Sequence, residues 1–167
     1  MSSRPLSLEE LAAILPAKAR LIGVDLGTKT IGLAVSDVER RVATPLTTLK
    51  RAKFARDAEA LTGQIRKFDV FALIVGLPLD LSGREGPRAQ ATRAFARNFT
   101  RLYPLPVAFW DERLSTTAVE RALIANDVSR ARRAEVIDQM AAAYILQGAL
   151  DRLARLAGDR GRVKPPP

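Results

Sequence analysis

The chain contains neither cysteine nor histidine in its 167 residues. The first absence removes disulfides, thiol nucleophiles and Cys-ligated zinc, and makes the cytoplasm the default compartment. The second removes Ser-His-Asp and Cys-His catalysis, His-ligated zinc and an imidazole general base. Catalysis, if present, must rest on carboxylates, Lys, Arg, Ser, Thr, or a metal ion held by oxygen. Long apolar runs are also lacking, and none approaches the ~18–20 residues of a membrane span. Glu9 and Glu10 stand where the apolar part of an export signal would begin. Acidic residues are outnumbered, 18 against 27 basic, which gives a net charge of +9. That excess favours a polyanionic partner, nucleic acid first, although it also serves solubility.

What is present fits one domain with a substantial core. Ser7 and Glu10 have capping-box spacing, and Leu8, Leu11, Ala12 and Leu15 follow at helical period, so a short helix is expected over 8–15, stopped by Pro16. Residues 20–26 and 30–36 read as strands. The Gly27-Thr28-Lys29 turn between them is too short for a parallel crossover, so they pair antiparallel. A third strand is expected over 43–49. Phe54, Ala58, Leu61, Ile65 and Phe68 mark a helix over 53–68, and 70–76 is an apolar strand of parallel type. A loop over 77–87 carries Pro78, Gly83, Gly86 and Pro87. A helix over 89–102, a strand over 106–111, a helix over 115–125, a polar basic linker over 126–133 and a long helix over 134–156 complete the order. The fold class is α/β: a mixed five-stranded sheet, an antiparallel three-strand meander plus two parallel strands, flanked by helices. Residues 1–19 form a helical extension, 20–157 the domain, and 158–167 a basic tail of disordered composition.

Three acids occupy positions that acids avoid. Asp25 lies near the end of the apolar run Leu21-Ile22-Gly23-Val24, where a charge is costly unless paired or bound to a cation. Its alternative role is to accept N–H groups of the following turn. Asp111 and Glu112 end the strand Val107-Ala108-Phe109-Trp110, at the end that faces the crevice of an open α/β sheet. Glu112 is the favoured acid, but strand alternation leaves the choice open. Asp138 shares a helical face with Ala141, Ala142 and Ile145, so it belongs to the stripe that packs on the sheet. The competing role is a solvated acid complementing the dipole of a helix that begins near Ala134. If Asp25, Glu112 and Asp138 converge, their repulsion calls for cations, and hard oxygen donors suit Mg²⁺ or Mn²⁺. Asp37, just past the second strand, reads as a turn cap.

Four segments carry a family resemblance. Gly23-Val24-Asp25-Leu26-Gly27-Thr28-Lys29-Thr30-Ile31-Gly32, then Val75-Gly76-Leu77-Pro78-Leu79 with Gly83 and Gly86-Pro87-Arg88-Ala89, then Asp111-Glu112-Arg113-Leu114-Ser115-Thr116, then Ile137-Asp138-Gln139-Met140-Ala141-Ala142 resemble, in order and spacing over residues 20–151, the YqgF/RuvX family. The resemblance implies an RNase H-like fold related to Holliday junction resolvases. It implies a hydrolase of phosphodiester bonds that processes the 5′ end of precursor 16S rRNA, or on the older assignment a junction resolvase. The family's acidic positions fall on Asp25, the Asp111-Glu112 pair and Asp138.

The basic residues near these motifs are candidate nucleic-acid contacts: Lys29 in the first turn, Arg84 and Arg88 around the 77–87 loop, Arg113 beside Glu112, and Arg130, Arg132 and Arg133 ahead of Asp138. Arg113 could instead pair with an acid, and Ser115 could cap a helix rather than bind phosphate. Trp110 could stack on a base, but a strand Trp is more often core. The 77–87 loop reads as a flap beside the substrate. The partner is thus nucleic acid, pre-rRNA before branched DNA, for a monomer or a homodimer; symmetric junction cutting would need the dimer. A non-catalytic RNA-binding module is the main alternative. A nucleotide-binding domain of the actin-like type is disfavoured because it needs two such domains.

Overall fold

The structure, a computed structural model, describes residues 4–114 and 130–161, with side chains over 4–114 and 135–160. The elements run α1 (Leu8–Ile14), β1 (Arg20–Leu26), β2 (Thr30–Ser36), β3 (Ala43–Lys50), α2 (Phe54–Phe68), β4 (Val70–Leu77), α3 (Pro87–Leu102), β5 (Val107–Asp111), a 3₁₀ turn (Glu112–Leu114) and α4 (Arg130–Gly161). The five strands form one sheet in the order β3-β2-β1-β4-β5. β1 pairs antiparallel with β2, and β2 with β3, whereas β4 runs parallel to both β1 and β5. This is the mixed sheet expected from the sequence, with the two acid-bearing strand ends, after β1 and after β5, on one edge of the domain.

One element departs from expectation at both ends. α4 starts at Arg130, so residues 130–133 are helical backbone rather than linker, and it runs to Gly161, past the break expected at Gly158. Asp138 therefore lies more than two turns inside the helix. The macrodipole fades within the first turn, so dipole complementation cannot be its role. The expected helix over 115–125, the side chains of Arg130, Arg132 and Arg133, and residues 162–167 lie outside the described residues.

Alternation of side chains divides the core in two. On one face Ile22, Val24, Leu33, Leu73, Val75 and Val107 pack against Leu61 and Ile65 of α2 and Phe95 and Phe99 of α3. On the other, Leu21, Ala34, Ile74, Ala108 and Trp110 pack against Ala142, Ile145, Leu146 and Ala149 of α4. Leu11 of α1 is fully buried in that second core, and the α1 N-terminus is capped by Ser7 Oγ, which accepts from Glu10 N at 3.0 Å. The N-terminal segment is thus part of the packed structure, and Leu6 N donates to Val107 O at 2.8 Å beside the β5 edge.

Glycines let α4 approach the sheet at backbone distance. A Cβ on Gly23 would lie 2.6 Å from Leu146 Cβ and 2.7 Å from Ala142 O. One on Gly32 would collide with the backbone of Asp138, and one on Gly148 would lie 2.6 Å from the Trp110 ring. Gly63, in the middle of α2, faces open space. Gly23→Ala is therefore expected to lower unfolding free energy by about 1–3 kcal/mol through overpacking, whereas Gly63→Ala should raise it by roughly 0.5–1 kcal/mol through helix propensity. Urea titration of both variants checks the opposite signs.

Candidate active site

A cleft of about 560 Å³ opens where β1 ends, lined by Asp25, Leu26, Gly27, Thr28, Lys29, Thr30, Pro78, Arg88, Glu112 and Asp138. The three acids singled out from sequence thus border one space, although they come from β1, the turn after β5, and α4. Asp25 pairs across the sheet with Gly32, the residue under Asp138. Directly opposed residues project to the same face, so Asp25 points toward the α4 side. The missing side chain of Gly32 is what brings Asp138 down onto the sheet.

Glu112, not Asp111, enters the cleft. A Cβ on Gly76 would lie 2.6 Å from Glu112 Oε1, so this glycine holds the space that the carboxylate occupies. Glu112 also stands two residues beyond Trp110, which the structure places on the α4 face. Asp111 turns to Arg113 instead: Arg113 Nη2 donates to its Oδ2 at 2.6 Å, and Arg113 Nε and backbone N donate to its Oδ1 at 3.0 Å. These bonds and the adjacent guanidinium hold the Asp111 carboxyl below the usual carboxylate range. Arg113 is accordingly a partner of an acid rather than a group turned to the cleft.

Thr30, at the start of β2, donates its hydroxyl to Asp138 Oδ2. It fixes one carboxylate oxygen and leaves the other for a ligand. The turn that carries Lys29 is held from two sides. Arg88 Nη2 donates to Leu26 O at 3.1 Å, and Arg51 Nη1 donates to Gly27 O at 2.6 Å. Arg51 is itself fixed by Asp57, which is 2% exposed and accepts from Arg51 Nε at 3.0 Å and from Ala52 N at 2.9 Å. Thr30, Arg51 and Asp57 were not visible as site residues in the sequence. Their roles depend on partners from remote segments or on a turn carbonyl, and no motif spacing encodes those.

The other sequence candidates fall in several places. Lys29 is exposed on the cleft, and Arg88 lines it. Arg84 is exposed on the 77–87 loop and does not line the cleft. Asp37 is the turn cap expected, accepting from Arg41 N at 2.8 Å and Val42 N at 3.0 Å, which lowers its pKa. Trp110 is 8% exposed and packs on α4, which rules out base stacking. Ser115 lies outside the described residues, as do the side chains of Arg130, Arg132 and Arg133.

The donor set suits a hard divalent cation, because among the described residues carboxylate and hydroxyl oxygens line the cleft beside the acids, and the chain has no cysteine or histidine to offer a softer ligand. Among the described residues, no group of three or more acids already forms a metal-binding cluster. The acids line a shared cleft rather than a closed cage, a more open arrangement than the convergence expected from sequence.

The Asp111–Arg113 pair sets a pH dependence. A carboxyl whose folded pKa lies below its unfolded value of ~3.9 contributes stability above that value and loses it as pH falls through the folded pKa. Asp111→Asn should thus destabilise the protein at neutral pH, with the difference from the parent shrinking below about pH 4. Thermal melts from pH 7 to pH 2.5 check this.

Comparison with known proteins identifies the family. A family model described as "RuvX: Holliday junction resolvase" matches residues 19–152. A protein of Methylocella silvestris named "Putative pre-16S rRNA nuclease" is 59% identical over 159 residues, covering 95% of this chain and 99% of that one. One of Paracoccus denitrificans with the same name is 60% identical over 147 residues, covering 88% and 93%. Among solved structures, Thermus thermophilus RuvC in complex with a Holliday junction substrate superposes with a TM-score of 0.53 at 16% identity, over 81% of this chain and 96% of that one. The yeast mitochondrial Holliday junction resolvase Ydc2 gives 0.52 at 15% identity, over 92% and 87%. These structural likenesses show a shared RNase H-like fold. The sequence matches go further, and the chain belongs to the RuvX family.

Proposed function

We propose that this protein is a divalent-metal-dependent nuclease that hydrolyses a phosphodiester bond in structured nucleic acid, with the 5′ end of precursor 16S rRNA as its substrate. The carrying observation is that Asp25, Glu112 and Asp138 line one cleft together with Lys29 and Arg88. The names of the close relatives point to precursor rRNA.

Asp25, Glu112 and Asp138 would hold the ions, Mg²⁺ or Mn²⁺. Bound there, divalent ions supply a water nucleophile of lowered pKa and neutralise charge on the leaving oxygen. The chain's own residues do the rest. Thr30 orients the Asp138 carboxylate through its hydroxyl. Gly76 leaves the space in which the Glu112 carboxylate sits. Lys29 and Arg88 place positive charge beside the acids, where the substrate's phosphates enter. No proton is assigned to a side-chain base, in keeping with a chain that has no histidine.

Junction resolution is the second reading, favoured by the description of the matching family model. Cleavage of a precursor 16S rRNA 5′ fragment and of a four-way DNA junction, each with Mg²⁺ and with Mn²⁺, separates the two. Asp25→Asn, Glu112→Gln and Asp138→Asn should each cut the rate at least ~100-fold. Thr30→Val should cost about 10–100-fold, as removal of an outer-shell partner does, and Thr30→Ser should restore most of it. A parent that cuts neither substrate would remove the nuclease assignment and leave an RNA-binding domain, and cleavage that survives all three acid substitutions would place the chemistry outside this cleft.

A further inference from the structure

Leu81 stands at the tip of the loop between β4 and α3 with 98% of its surface exposed. A single surface leucine is ordinary; its mounting is not. The Asp80 carboxylate Oδ1 accepts from Ser82 N at 2.9 Å, Ser82 Oγ at 2.6 Å and Arg84 N at 2.8 Å. Asp80 N donates to Arg84 O at 3.1 Å, and Gly83 N donates to Asp80 O at 2.9 Å. Gly83 closes the turn at φ +85°, a left-handed conformation suited to glycine. Leu79 and Glu85 are bridged below it. The tip is therefore a small fixed hairpin that presents one apolar side chain outward.

The hairpin is anchored to the elements that carry the cleft. Glu85 pairs with Arg93 of α3 at 2.5 Å, and Arg93 lies over the Phe109 ring at 4.9 Å. Gly83 sits against the Arg113 guanidinium, where a Cβ would lie 3.2 Å from Nη1, and Asp111 grips the same guanidinium. Arg113 follows Glu112 in the chain, and Pro78, at the foot of the hairpin, lines the cleft. Leu81 is thus displayed on a rigid mount whose foot, Pro78, lines the cleft of the three acids and whose turn rests on the side chain of the residue after Glu112.

We propose that Leu81 is a wedge that inserts between stacked bases beside the scissile phosphate and makes the enzyme selective for paired over unpaired strands. This rests on the nuclease reading. Stacked bases are the apolar part of a nucleic acid, and a leucine entering a step unstacks and kinks it while the cleft's Lys29 and Arg88 hold the phosphates. Asp80 and Gly83 serve as positioning residues for the wedge.

The test uses the full chain and an RNA hairpin with 2-aminopurine beside the cleavage position, studied without divalent metal so that nothing is cut, at low ionic strength and with binding of each protein verified by anisotropy. The parent should raise 2-aminopurine fluorescence on binding, Leu81→Ser should abolish that rise, and Leu81→Phe should keep it. All three should melt at the same temperature, because the side chain is exposed. With metal added, Leu81→Ser should slow cleavage of the paired substrate at least ~10-fold more than that of an unpaired strand of the same sequence. An unchanged fluorescence rise in Leu81→Ser, no rise with the parent, or equal losses on both substrates would overturn the wedge. Failure of the nuclease reading shows separately, as a parent that cuts neither substrate.

Discussion

Helix α4 lies against the sheet closely enough that side chains would be in the way, and the arrangement of the site follows from that approach. Gly23 and Gly32 remove side chains from the sheet, and Gly148 removes one from the helix. With β-carbons at these positions the helix would ride higher, and Asp138 would stand off from Asp25 and Glu112. Gly76 plays the same part for a side chain, giving the Glu112 carboxylate its place on the sheet surface. The small residues of α4, Ala142 and Ala149 among them, complete a contact in which close packing takes the place of bulk.

The second constraint is on the turn after Asp25. Two successive carbonyls, those of Leu26 and Gly27, accept from guanidinium groups that arrive from opposite directions, Arg88 from α3 and Arg51 from the end of β3. Each arginine satisfies a main-chain acceptor and places a cation near the cleft. Asp57 makes the Arg51 arm rigid from below, because a nearly buried carboxylate needs its cation. The turn that presents Lys29 is thereby tied to helices on the face of the sheet opposite α4.

Charge is distributed unevenly between molecule and cleft. A net +9 draws a polyanion from a distance. The cleft itself holds three carboxylates against Lys29 and Arg88. Under the proposed function a phosphodiester brought there would meet repulsion that divalent cations would convert into attraction, which makes general basicity and local acids complementary.

Most of the fold could be read from the sequence because its signals are local. Strand alternation, the short Gly27-Thr28-Lys29 turn and the 3.6-residue stripes fixed which segments are strands and helices and which pairs are antiparallel. Helix ends were misplaced where the signal is weak: residues 130–133 looked like a linker because they are charged, yet arginine and alanine are good helix formers. The anomaly of Asp25 and Asp138, acids within apolar patterns, was likewise visible residue by residue. The choice between Asp111 and Glu112 was not, because it requires knowing that Trp110 faces α4 and that Gly76 leaves a hole beside it. Thr30 was equally hidden, since a hydrogen bond between residues 108 positions apart leaves no mark in either neighbourhood, and so was Arg51 with its partner Asp57, since its acceptor is the main-chain carbonyl of Gly27 in another segment. The sequence by itself determined the elements and the presence of misplaced acids, because periodicity and desolvation act on each segment separately. Only the tertiary structure decided which acids share a space and what holds them, because that depends on how closely separate segments approach.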